Sequence, residues 1–334
     1  MAIRILHILS NWKWTERSEP CVDLALAEQV LGADVRLVCD QWSNYSKNAV
    51  SVRAHSKGLK SVTPLHLPKH FNLPSVPSDV LRLRKLMKAF DPHVVHFHMP
   101  NAHLLGALAS VSACSFRSVR SCYDPSGPKK DLRSRWLYSH HTDGLVVINQ
   151  QAKSRASEIY NFTDDNLLIA EPGIDLGRFF PKRNPILSRR EFGLSPDAFI
   201  LGVVSRIRRR RRIDIPLEAV RILAENFPQI RLLIAGRGQE GAAESIVQSP
   251  ARAMGIADKI ILAGYCRGER LVAAYQAMDV LVYPTPGTDQ TCRTVREALA
   301  SGVPVIAPKI GFLPELLEDG INGRFIELSA QGLA

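Results

Sequence analysis

Residues 199–227 read FILGVVSRIRRRRRIDIPLEAVRILAENF: an apolar β-rich run, a loop with six arginines in seven positions, then a helix-patterned segment. An apolar run of strand length, bounded by a polar loop and followed by helical periodicity, is one unit of a parallel sheet wrapped by helices. The same unit recurs along the chain. In the first half the strand candidates are 3–9, 34–39, 93–98, 118–122 and 144–149; in the second they are 199–205, 230–236, 259–264, 279–284 and 302–308. Alternation of this kind specifies an α/β fold with two doubly wound, Rossmann-like domains. We expect domains at 1–170 and 186–334, joined by a linker at 171–185 that is rich in Pro and Gly and lacks periodicity. Residues 40–78, with four prolines, read as strand fragments and loops at the edge of the first sheet.

The whole-chain numbers agree. With 334 residues, 46% hydrophobic and 22% charged, the chain suits two soluble globular domains. No apolar run approaches the roughly 20 residues that span a bilayer. The start, MAIRILHILS, reads as a buried first strand and not as a signal peptide. Six cysteines without a C-x-x-C pair point to reduced thiols. A cytoplasmic location is expected, with peripheral contact at the inner face of the plasma membrane as the variant, and of the net charge of +11 the first part of the chain carries the larger share.

In doubly wound sheets ligands bind beyond the carboxyl ends of the strands, so the loops there carry the chemistry. The arginine loop sits at such an end and precedes a helix N-terminus, an arrangement suited to a diphosphate. A solvated basic loop touching nucleic acid or anionic lipid is the alternative, and the absence of any nucleic-acid module argues against nucleic acid as the partner. In PTPGTDQTCRTVREALASG (284–302), free N–H groups near Arg293, Thr294 and Val295 suit a phosphate and Glu297 suits hydroxyl groups; Thr294 and Glu297 also have capping-box spacing. In HVVHFHMPNAH (93–103), alternation puts His96 and His98 on one face. No carboxylate or thiol stands at matching spacing, so no metal is expected, and His98 or His103 is a candidate for acceptor contact. In SNWKWTERSEP (10–20), Trp12 and Trp14 suit sugar stacking or a membrane interface, with core packing as the alternative. The segment SDVLRLRKLMKAF (78–90) is a basic helix that would dock to anionic lipid or present a solvated face.

Taken together, HVVHFHMPNAH (93–103), AEPGIDLGRFFP (170–181), VVSRIRRRRRID (203–214), LLIAGRG (232–238) and DQTCRTVREALASGVPVIAPKIGFLPELLEDGINGRF (289–325) resemble, in this order along the chain, the retaining glycosyltransferases of family 4. The resemblance covers nearly the whole chain. It implies a GT-B fold, two Rossmann-like domains facing across a cleft, and transfer of a sugar from a nucleotide-diphosphate sugar to an acceptor hydroxyl with retention. It assigns Arg206 and Arg211 to the donor diphosphate, Arg211 replacing the family's lysine, and Arg212 to a position where the family usually has glycine. It puts Asp289 near the transferred sugar in place of a glutamate, Glu297 on the ribose hydroxyls, and Cys292 where a glycine is usual between them. Gly236 and Tyr265 complete the donor set, and Tyr123 stands where many relatives have a histidine near the sugar.

The same resemblance implies no cofactor and no divalent cation, an acceptor that is a glycan or lipid-linked, and closure of the two domains about the linker. Relatives continue past NGRF into further helices, so a shortened C-terminal domain is expected. A nucleotide-sugar-binding protein that has lost activity is the other reading of Asp289, Tyr123 and that ending.

Overall fold

A computed structural model describes residues 2–15, 17–40, 48–60, 62–67, 72–110, 115–181, 185–285 and 292–334. The chain divides into two compact units, Met1–Gly173 and Ile174–Ala334. In the first, the order is β1 (Arg4–Leu9), α1 (Ser18–Val30), β2 (Asp34–Asp40), α2 (Ala49–Ser56), β3 (Val62–Leu65), α3 (Val76–Phe90), β4 (Val94–Phe97), α4 (Pro100–Ser110), β5 (Arg117–Cys122), α5 (Leu132–His140), β6 (Gly144–Val147), α6 (Gln150–Tyr160) and β7 (Leu167–Ile169). These strands form one parallel sheet in the order β3-β2-β1-β4-β5-β6-β7.

The second unit runs α7 (Ile186–Glu191), β8 (Phe199–Val204), α8 (Asp214–Leu223), β9 (Ile230–Ala235), α9 (Ser249–Ala253), β10 (Ile260–Gly264), α10 (Glu269–Ala277), β11 (Val280–Val282), α11 (Arg293–Ala300), β12 (Val305–Pro308), α12 (Leu313–Leu316), β13 (Gly323–Ile326) and α13 (Ala330–Leu333). Its parallel sheet has the order β10-β9-β8-β11-β12-β13. Strand alternation divides its core into two layers. Ile200, Leu233 and Leu281 pack on one face, while Leu201, Val203, Leu232 and Val282 pack on the other. Burial on both faces explains why these strands read as continuous apolar runs.

Both sheets are therefore doubly wound, each with a point where strand order reverses: between β1 and β4 in the first unit and between β8 and β11 in the second. Loops at such points line ligand crevices. Two strands escaped the sequence reading, β7 and β13, which have only three and four residues. Within 40–78, the expected strand at the edge of the first sheet is β3. Residues 49–56, read as strand fragments, are the helix α2, because Asn48 accepts a hydrogen bond from the Ser51 N–H and caps it. Inside the stretch read as linker, Ile174 and Phe179 pack into the second unit's core, Phe179 edge-on to Tyr275 at 6.0 Å.

Candidate functional site

At the switch point of the second sheet, β8 delivers the arginine loop. Ile207, the only apolar residue of the run, is buried and anchors it in the core, while its N–H donates to the Arg237 carbonyl at 3.1 Å. With that residue pinned, Arg206 is exposed, Arg208 and Arg211 are half-buried, and Arg209 and Arg210 reach solvent. Arg209–Arg211 form a single 3₁₀ turn, and Arg212 ends it at φ +49°. The Arg212 guanidinium is engaged by Asp214 at 3.1 Å, so its charge is partly spent on its own helix start. Six arginines thus do three different things.

Two glycines after β9 hold this loop in place. A Cβ at Gly236 would lie 1.7 Å from the Ser205 carbonyl oxygen, and one at Gly238 would lie 2.7 Å from the Ile207 carbonyl oxygen. Only glycine lets the two backbones approach so closely. The loop after β10 brings Tyr265, half exposed, with Arg237 at 4.3 Å and Arg267 at 4.4 Å from its ring. An aromatic face flanked by two guanidinium groups offers stacking beside positive charge. Loops from β10, β9 and β8, neighbours in the sheet, thus carry Tyr265, Gly236 and Arg206 at one edge.

On the other side of the switch point, α11 begins after Cys292, which is fully buried at φ +43°. The Cys292 carbonyl accepts from the N–H groups of Val295 at 3.0 Å and Arg296 at 3.1 Å, so Val295 spends its N–H inside the helix. Arg293 and Thr294 remain the first-turn positions for an anion. The capping-box spacing of Thr294 and Glu297 is not realised, since no side chain caps this helix. Instead the buried Glu297 carboxylate accepts from the Tyr275 hydroxyl at 2.7 Å and from Arg293 Nε at 2.7 Å. Burial, reinforced by that carboxylate, pushes the Tyr275 phenol well above its ordinary range, so it acts as a donor. Asp289 lies outside the described residues.

In the first unit the candidates divide differently. Trp12 is half-buried with Lys13 4.8 Å above its ring. Trp14 packs against the core, with Arg53 and Lys57 at 5.0 and 5.5 Å from its ring, which supports its packing role. His103, a candidate for acceptor contact, is buried on α4, and its Nε2 lies 3.0 Å from the His141 carbonyl. Burial lowers its pKa to about 3. His98 is also buried, with its Nδ1 2.8 Å from the Tyr123 hydroxyl. Its other nitrogen meets His7, a residue that the sequence reading passed over as a β1 core position, at 2.9 Å. On α3, Arg82, Lys85 and Lys88 face solvent beside the exposed Leu81. Arg84 does not join them, because it donates to the Leu108 and Ala109 carbonyls at the end of α4. No helix of the described residues is long and apolar enough to cross a membrane.

Residues 186–333 match the model of glycosyl transferases group 1, and residues 21–178 match that of glycosyltransferase family 4. The D-inositol 3-phosphate glycosyltransferase of Thermomonospora curvata is 30% identical over 319 residues, covering 90% of this chain and 71% of that protein. The same enzyme from Actinosynnema mirum is 30% identical over 190 residues, 55% of this chain. The chain spans about half the length of the first such curated relatives, 45% and 49% in two cases. Among solved structures, Anabaena Alr3699/HepE in complex with UDP superposes with a TM-score of 0.77 at 18% identity, over 99% of this chain and 88% of that one. That likeness establishes the GT-B fold.

Proposed function

The chain belongs to the group 1 and family 4 glycosyltransferases, and on that premise we propose that it is a retaining glycosyltransferase that moves a sugar from a nucleotide-diphosphate sugar to an acceptor hydroxyl. The observation that carries this reading is the convergence, at one edge of the second sheet, of a glycine-clamped arginine loop, the arginine-flanked Tyr265 and the Arg293–Thr294 helix start. Arg206 and Arg211 bind the diphosphate and stabilise the negative charge that grows on it as the glycosidic bond breaks. Their fixed positive charge takes the part that a divalent cation plays elsewhere, and no cofactor takes part.

Thr294 and Arg293 receive phosphate oxygens at the helix start. Glu297 has two oxygens with about four acceptor sites, of which Tyr275 and Arg293 occupy two, so it retains capacity for ribose hydroxyls. Gly236 keeps the β9 loop out of the ligand's way, and Tyr265 stacks on the base. Asp289 serves the transferred sugar. The UDP bound by Anabaena HepE makes UDP-sugars the first donors to try, and the inositol phosphate named for the curated relatives makes a phosphorylated polyol the first acceptor. Tyr123 and Trp12 are the acceptor-side candidates of the first unit. The exposed cations of α3 suit an anionic membrane if the acceptor is a lipid-linked glycan.

A panel of UDP-, GDP- and ADP-sugars, read by thermal stabilisation and then by product formation, tests the donor assignment. A ligand at 100 times its Kd adds about 2.7 kcal/mol. Product anomeric configuration by NMR tests retention, and activity undiminished by a chelator tests metal independence. If no nucleotide sugar both stabilises the protein and is turned over, the enzymatic reading fails.

A further inference from the structure

The switch point of the first sheet carries a different set of side chains. His7 on β1 stands in direct register with His96 on β4, and His98 follows two residues along. By strand alternation all three leave the same face of the sheet. Their ring centroids lie 5.3 Å (His7 to His96), 5.2 Å (His7 to His98) and 4.3 Å (His96 to His98) apart. One ring nitrogen from each lies within 4.8 Å of the others, and all three residues are buried; this is the one such group among the described residues.

Each ring also turns a nitrogen to an oxygen outside the cluster. His7 Nε2 meets Glu28 Oε2 at 2.5 Å, His96 Nε2 meets Ser121 Oγ at 2.8 Å, and His98 Nδ1 meets the Tyr123 hydroxyl at 2.8 Å. The nitrogens left over are His7 Nδ1, His96 Nδ1 and His98 Nε2. An H-x-H pair on one strand, a third histidine in register on its neighbour, and an outer oxygen on each ring is the organisation of a three-histidine metal site with its supporting shell.

We propose that His7, His96 and His98 form a binding site for a divalent transition-metal ion of the Zn²⁺ class. Imidazole nitrogens select this class over Mg²⁺ or Ca²⁺, which take oxygen ligands. Metal–nitrogen bonds of about 2.0–2.1 Å set the ligand nitrogens roughly 3.4 Å apart, so the 2.9 Å His7–His98 pair opens slightly, and no pair within the 4.8 Å limit has to close by more than about 1.4 Å.

The proton count is conserved. Without metal, the Glu28 carboxylate takes the His7 Nε2–H, His98 Nε2–H donates to His7 Nδ1, and His98 Nδ1 accepts from Tyr123. With metal on Nε2, His98 moves its proton to Nδ1 and donates to Tyr123. The ion therefore ties β1 to β4 and reverses the hydrogen bond to Tyr123, the acceptor-side candidate.

The test uses the full chain stripped with a chelator, titrated with Zn²⁺ by calorimetry and with Co²⁺ in the visible, with metal content measured by mass spectrometry. One equivalent at micromolar ion or below, with tetrahedral Co²⁺ bands and no thiolate charge transfer, supports the site. Glu28→Gln, which keeps the three ligands, should weaken binding 10–100-fold, and His96→Ala more. If His96→Ala fails to fold, Glu28→Gln decides. No stoichiometric binding, an affinity unchanged in both variants, or a thiolate band each overturns the proposal.

Discussion

The two switch points occupy the same topological position and have opposite electrostatics. In the second unit the edge is lined with guanidinium groups that mostly reach water, with Ile207 as the anchor. In the first it is lined with three imidazoles packed into the protein, which burial keeps neutral at His96 and His98. The difference follows from where the polar residues stand on the strand. Arg206 begins a loop two residues beyond the end of β8, while His7 and His96 sit within strands covered by helices. Charge at a loop is solvated and available to an anion; a titratable group inside a strand keeps its lone pairs and loses its charge. Fold alone does not decide which chemistry an edge carries.

Arginine truncation breaks the comparison most severely. Arg206→Ala and Arg211→Ala should each lower kcat/KM by 10²–10³, about 2.7–4 kcal/mol, as for the loss of a donor aimed at developing charge. Arg206→Lys should recover part of this, a point charge replacing a planar fork. Wild-type turnover in Arg206→Ala would mean that the edge binds no diphosphate. A step smaller is Gly236→Ala. Its Cβ meets backbone oxygen at 1.7 Å, which no rotamer change relieves, so the arginine loop must move. We expect a loss of about 2–3 kcal/mol in denaturant unfolding together with weaker nucleotide binding.

The buried edge is broken by acid. His103 has a folded pKa of about 3 against an ordinary value of 6.5, because burial disfavours its cation. The unfolded chain binds the extra proton between those values, so stability is full above about pH 6.5 and falls as pH drops toward 3. At pH 5 this residue alone costs about 2 kcal/mol. His96 and His98 shift in the same direction and add to the loss. Thermal melts from pH 7.5 to 4.5 should show an early decline that His103→Gln reduces; a flat profile would contradict the neutral core.

Local signals made the exposed edge legible. The arginine run interrupts an apolar strand and a helix, and its loop position follows from periodicity over a few dozen residues. Long-range pairing hid the rest. The Glu297–Tyr275 hydrogen bond joins residues 22 positions apart on different helices, so spacing alone suggested a cap where there is a buried contact. His7 is 91 residues from His98, and only the pairing of β1 with β4 unites them. That pairing was available in principle, since a doubly wound sheet puts its first strand beside the one across the switch point. His103 is a candidate by sequence because it follows a strand at the sheet's carboxyl edge, but α4 turns it inward, toward Phe97 and Tyr138.

The smallest effect separates the arginines from one another. Arg212 and Cys292 both adopt left-handed backbone, at φ +49° and +43°, and both stand where the family resemblance expects glycine. The backbone has thus kept a glycine conformation after losing the glycine, at a cost of about 1 kcal/mol for each such residue. Cys292 is fully buried, so Cys292→Gly trades strain for a cavity and should be close to neutral. Arg212 is exposed, and its ion pair with Asp214 is worth well under about 1 kcal/mol, so Arg212→Gly isolates the backbone contribution. It should stabilise the protein by roughly 0.5–1 kcal/mol, and Arg212→Val, β-branched in the same region, should destabilise it by a similar amount. Because Asp214 already holds the Arg212 guanidinium, neither change should weaken nucleotide binding as Arg206→Ala does. A loss of affinity in Arg212→Gly matching that of Arg206→Ala would show that the whole run acts as one diffuse charge, and the division of labour set by the Ile207 anchor would fail.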